Sequence, residues 1–132
     1  MKKIFKVKNL HLLISALIVG LAGLAYGLYP NQILPLLFDF KIETVDLNNV
    51  FRAIMGLYLA LAFYWLYGVC NIAYWRQATL SNVIFIAGLA FGRIVSIIID
   101  GWPSLAFSIG TFLEVMVVIW GVFNLKKYSL NE

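Results

Sequence analysis

Gly92-Arg93-Ile94-Val95-Ser96-Ile97-Ile98-Ile99-Asp100-Gly101-Trp102-Pro103-Ser104, with Glu114 further along, is the stretch that decides how this chain must fold. An arginine and a glutamate stand well inside two apolar runs, and a short turn separates those runs. An isolated charge at the centre of a bilayer costs roughly 2.5–3.5 kcal/mol on insertion scales. Arg93 and Glu114 must therefore face protein, water or each other, and the other helices have to pack so that they can.

The rest of the sequence agrees with a membrane solvent. Of 132 residues, 63% are hydrophobic and 12% charged, and the mean hydropathy is +0.92. Soluble domains are about half apolar and a quarter charged, and one small soluble core could not hide this much apolar surface. The formal charge of +4 arises from 10 Lys+Arg against 6 Asp+Glu. Its basic excess is gathered at Lys2, Lys3, Lys6 and Lys8 and again at Lys126 and Lys127. A nucleic-acid binder would spread that charge over a folded face, so no nucleic-acid partner is expected. The single cysteine, Cys70, excludes an internal disulfide and a dithiol redox pair.

Working outward, four apolar runs predict helices over about 10–29, 50–74, 77–99 and 103–125. Each is near the ~20 residues that a bilayer span requires. The reading is all-α: an integral membrane four-helix transmembrane bundle occupying 1–132 as a single domain, in contact with the lipid bilayer. A basic lead before an apolar run also describes a secretory leader, but leader cores are about 7–15 residues long. The first run is longer, so it is read as a retained span. Lysines at both ends, and Arg76 in the short second turn, predict an N-in/C-in topology in the cell's inner (plasma) membrane.

Pro30 is expected to end the first span. The connection over 30–49 carries Ile33, Leu34, Leu36, Leu37, Phe38 and Phe40, which suit a short interfacial segment or a lid over the outer mouth. Thr44 or Asp46 is placed to cap the second span. Within that span Phe63, Tyr64, Trp65 and Tyr67 form an aromatic block, either packing residues or a π-lined pocket. Gly23-x-x-x-Gly27 and Gly88-x-x-x-Gly92 carry the spacing that lets helices approach closely in lipid.

At 100° per residue, Asn82, Ile86, Leu89, Arg93, Ser96 and Asp100 share one stripe of the third span. Gly101 suits a positive φ, Asp100 a helix cap and Pro103 the first turn of the fourth span. The helical rise puts Arg93 roughly 9 Å and Glu114 roughly 15 Å below the same membrane surface. That difference is within an arginine's reach, so a polar cluster of Arg52, Arg93, Ser96, Asp100 and Glu114 is expected in the outer half. Such a cluster could bind an anionic head group, carry a proton on Glu114, or pin two helices together, since breaking a buried pair costs more than forming it yields.

No catalytic, cofactor-binding or metal-binding set stands out. His11 is the single histidine and reads as an interfacial residue beside the lysines. Ser96, Ser104 and Ser108 have no histidine at their depth, and there is no phosphate-cradling loop and no CxxC.

The spacing Gly92-Arg93-x-x-Ser96-x-x-x-Asp100-Gly101-x-Pro103-Ser104, followed by Glu114, resembles the signature of a family of small bacterial four-helix membrane proteins classed as a domain of unknown function. Arg52-Ala53-x-x-Gly56-Leu57-Tyr58-x-Ala60 resembles that family as well. The likeness covers the second to fourth spans and implies a four-helix integral membrane fold. It implies no activity, cofactor or catalytic residue.

The expected function is a non-enzymatic, membrane-embedded module that binds a lipid or lipophilic anion or docks a membrane partner through the polar cluster. The alternative is a small proton-coupled transporter, acting as a homo-oligomer with Glu114 titrating. A lipid-modifying enzyme ranks below both, because it would need a second convergent acid/base group beside Glu114 or Asp100.

Overall fold

The computed structural model describes residues 7–128. Lys2, Lys3 and Lys6, on which the orientation of the first span partly rests, lie outside the described residues. The chain runs through α1 (Val7–Gly27), α2 (Pro30–Leu37), α3 (Val45–Cys70), a single 3-10 turn (Ile72–Tyr74), α4 (Trp75–Asp100) and α5 (Leu105–Tyr128). The four long helices are each long and apolar enough to cross a membrane, the build of a multi-pass membrane protein.

Local chemistry sets the boundaries, and several differ from the hydropathy reading. Pro30 does not terminate the first helix. It opens α2, where its missing N–H costs nothing, and the Tyr29 carbonyl accepts from Gln32 and Ile33 at 3.0 and 2.9 Å. α3 starts at Val45, ahead of the apolar run, because Thr44 caps it: Thr44 Oγ1 accepts from the Leu47 amide at 3.1 Å. That helix stops at Cys70 rather than Tyr74. Asn71 turns the chain there, its side chain accepting from the Ala73 amide at 3.2 Å.

Gly101 closes α4 with φ +93, a conformation strained for any residue with a Cβ, while its N–H bonds Ile97 at 3.1 Å. Asp100 is the last residue of α4 and makes no cap for α5. Pro103 and Ser104 precede α5 instead, and the Ser108 amide donates to the Ser104 carbonyl at 3.1 Å.

Two helix pairs make up the bundle: α1 lies along α3, α5 lies along α4, and α3 and α4 join them. One end holds the start of α1, the 3-10 turn and the end of α5; Lys8 Nζ sits 4.7 Å above the Trp75 ring there. This is the terminal end. The opposite, loop end holds α2, the Phe38–Thr44 connection and the turn before α5, with Phe38 stacked on Phe107.

The two glycine pairs behave differently. A Cβ on Gly23 would lie 2.8 Å from Tyr58 Cβ, and one on Gly27 would run into Met55, so this pair holds α1 and α3 at close range. Gly88 and Gly92 meet nothing within 4 Å. The close helix approach expected of Gly88-x-x-x-Gly92 is absent; both glycines border a cavity. The aromatic block of α3 also splits. Trp65 is fully buried and donates from Nε1 to Ser81 Oγ at 3.1 Å, whereas Phe63 and Tyr67 are exposed.

This contrast sets a test. Gly23→Leu is expected to destabilise the bundle by about 1–3 kcal/mol, the usual range for overpacking. Gly88→Ala is expected to be neutral or slightly stabilising. Unfolding in detergent, followed by circular dichroism, compares the two directly.

Candidate functional site

Arg93 on α4 and Glu114 on α5 form an ion pair in the loop-end half of the two antiparallel helices. Arg93 Nε donates to Glu114 Oε1 at 3.0 Å and stands 3.0 Å from Oε2 as well. Their side chains are 22% and 14% exposed, so the pair is largely withdrawn from the surface. The guanidinium also sits over the Phe107 ring, 5.0 Å from its centroid, a cation–π contact. Glu114 Oε2 is buried and accepts no hydrogen bond of its own.

Two cavities meet at this pair. The larger, about 560 Å³, lies toward the loop end and is lined by Tyr26, Phe38, Phe40, Phe51, Gly88, Leu89, Gly92, Arg93, Ser96, Pro103, Phe107 and Thr111. The smaller, about 220 Å³, extends from Phe38, Ala106 and Phe107 past Arg93 and Glu114 to Ser15 and Val117. Arg93, Tyr26, Phe38, Leu89 and Phe107 border both. The larger chamber has the size and the apolar, aromatic lining typical of small-molecule sites, and Arg93 is its one ionic lining residue.

Aromatic rings line the loop end. Phe51 and Phe40 lie 5.9 Å apart at 15°, Phe40 and Phe38 5.7 Å apart at 3°, and Phe38 and Phe107 4.2 Å apart at 19°. The Arg93 guanidinium continues this row over Phe107. A stack of this kind ties the connection after α2 to the start of α3 and to α5.

The remaining expected site residues are spread out. Ser96 lines the larger chamber, and its Oγ donates to Asp100 Oδ2 at 3.0 Å, one turn along the same helix. Asp100 is exposed at the end of α4. Arg52 is exposed beside Phe51 and lines neither cavity. Asp39, Glu43 and Asp46 are exposed too; the connection turns Phe38 and Phe40 inward instead.

Sequence reasoning missed two groups. The aromatic wall comes from four separate segments, of which the sequence sets only Phe38 and Phe40 over the outer mouth. His11 was read as interfacial, yet it is fully buried, with its ring 5.5 Å from that of Trp120. The usable signal was the spacing of His11 and Ser15, which sets both on one helical face with a turn between them.

A family model described as "Domain of unknown function (DUF4345)" matches residues 7–125, and the chain belongs to that family. No curated protein and no solved structure matches it.

Because the pair is largely withdrawn from the surface, the single variants should be worse than the double. Glu114→Ala or Arg93→Ala strands its partner and is expected to cost roughly 3–5 kcal/mol in stability. Arg93→Met combined with Glu114→Leu removes both charges and should cost clearly less than the sum of the singles. Denaturant titration of the four proteins in one detergent gives the coupling.

Proposed function

We propose that this protein is a non-enzymatic, multi-pass protein of the inner membrane, oriented N-in/C-in, whose larger chamber binds a lipid or lipophilic anion. The observation that carries this reading is a single cation, Arg93, set in the wall of a 560 Å³ chamber that is otherwise mostly aromatic and apolar. An amphiphile suits both parts. Its hydrocarbon or ring portion packs among Tyr26, Phe38, Phe51 and Phe107, and its anionic head meets the guanidinium edge left over from Glu114.

Glu114 has a supporting role in this reading. It fixes the Arg93 side chain through Nε and leaves the terminal amino groups to recognise a head group. Basic residues at the terminal end, Lys8, Arg76, Lys126 and Lys127, support the cytoplasmic assignment of that end. The larger chamber would then open in the outer half, beneath the aromatic stack. Chemistry on the bound molecule is not part of the proposal, since no second carboxylate and no histidine accompanies Glu114 among the lining residues.

Retention of dodecyl phosphate and of dodecanol by the detergent-purified protein, read by native mass spectrometry, tests the reading. Dodecyl phosphate should be retained well above dodecanol, and Arg93→Gln should weaken it about tenfold, the loss of one charge-assisted contact worth about 1.4 kcal/mol. Equal retention of both molecules, or an unchanged phosphate signal in Arg93→Gln, would contradict it.

A further inference from the structure

Beneath the smaller cavity the bundle holds a set of polar side chains that no hydrophobic packing argument explains. Ser15 on α1, Ile86 on α4 and Val117 on α5 all border that cavity. One helical turn nearer the terminal end on each helix stand His11, Asn82 and Gly121. These three therefore form the next layer down. The absence of a side chain on Gly121 makes room for the imidazole: a Cβ there would lie 2.8 Å from His11 Nε2.

His11 and Asn82 are both fully buried, and Ser15 is nearly so. Both His11 ring nitrogens, both polar atoms of the Asn82 amide and Ser15 Oγ lack a hydrogen-bond partner. The Val117 backbone offers the imidazole a loose hydrogen bond, which falls outside strict geometry and leaves neither ring nitrogen fully satisfied. Glu114, further along the same cavity, has its Oε2 buried beside Arg93 Nε with no hydrogen bond beyond that ion pair. Buried donors and acceptors are almost always satisfied, by protein or by ordered water. Trp75 Nε1 and, at the loop end, Ser104 Oγ also lack a partner, but His11, Asn82 and Ser15 lie together beside or just beneath a cavity with room for several waters at about 30 Å³ each, which marks a built site for a small hydrogen-bonding guest.

We propose that the smaller cavity and the His11–Asn82 layer beneath it hold a chain of bound water that runs from Glu114 past Ser15 toward the terminal end. Asn124 continues the column. It is buried on α5, and its side-chain amide donates to the Lys8 carbonyl at 3.5 Å, at the level of the terminal basic residues. The guest is neutral and small, because the column offers paired donors and acceptors but no unpaired charge. The site differs from the chamber that Arg93 serves for the amphiphile, and it does not depend on that chamber being occupied. Its consequence is that Glu114 is in contact with water from the terminal side.

The single histidine makes the test specific, because the ring nitrogens of His11 give one assignable pair of signals. Water-edited solid-state NMR of nitrogen-15-labelled protein in liposomes measures how fast water magnetisation reaches each nitrogen. The His11 ring is expected to build up as fast as the lysine side chains, and far ahead of the backbone amide of Leu17 on the exposed apolar face of α1. Ser15→Val, which fills the floor of the cavity with methyl groups, should slow transfer to the ring. A His11 ring as slow as the Leu17 amide overturns the proposal, and so does a fast ring that Ser15→Val leaves unchanged. Failure here would leave dodecyl phosphate retention through Arg93 intact, so the two readings fall separately.

Discussion

The arrangement depends on one ion pair. Neither Arg93 nor Glu114 can be left alone away from water, and each sits far along a helix whose neighbours are apolar. The contact at 3.0 Å resolves this by holding α4 and α5 together at one rotation and one depth. A pair of this kind adds little net stability compared with well-packed apolar residues, but separating it is costly. Its main effect is on register. With the register set, Phe107 comes under the guanidinium, and the face of α4 carrying Gly88 and Gly92 turns toward the space between the helix pairs.

Glycine then acts in two opposite ways within one bundle. On α1, Gly23 and Gly27 remove side chains so that Tyr58 and Met55 of α3 can approach. On α4, Gly88 and Gly92 remove side chains where no helix approaches, and the outcome is a chamber. The same spacing thus gives contact in one place and volume in another. Which one results is decided by the partner: α1 has α3 along its whole length, while the loop end of α4 is faced by the aromatic connection after α2.

Much of this was legible in the sequence, and the reasons for the rest are physical. Hydropathy and length located four long helices, and the cost of a lone charge directed attention to Arg93 and Glu114. Thr44 and Gly101 followed from local rules of capping and positive φ. Pro30 was misread because proline is equally suited to follow one helix and to begin another. The aromatic wall was not legible, since Tyr26, Phe38, Phe51 and Phe107 are brought together only by tertiary packing. His11 was misplaced because its position near the lysines suggested the surface, whereas its rotation about the α1 axis turns it into the core. Asp100 suggested a cap for α5; its carboxylate instead accepts from Ser96, another member of the expected cluster, one turn back on α4.

These features describe a bundle divided by Arg93 and Glu114 into an aromatic chamber at one end and a polar column at the other. The proposed roles of both compartments require that the pair exist in the membrane as drawn. The most direct measurement is the dipolar coupling between Arg93 Nε and the Glu114 carboxyl carbon, by rotational-echo double-resonance NMR on selectively labelled protein in liposomes. The account predicts strong dephasing, consistent with Nε in hydrogen-bond contact with the carboxylate oxygens at 3.0 Å. No dephasing above the Arg93→Lys background would mean that α4 and α5 are not joined there, and would contradict it.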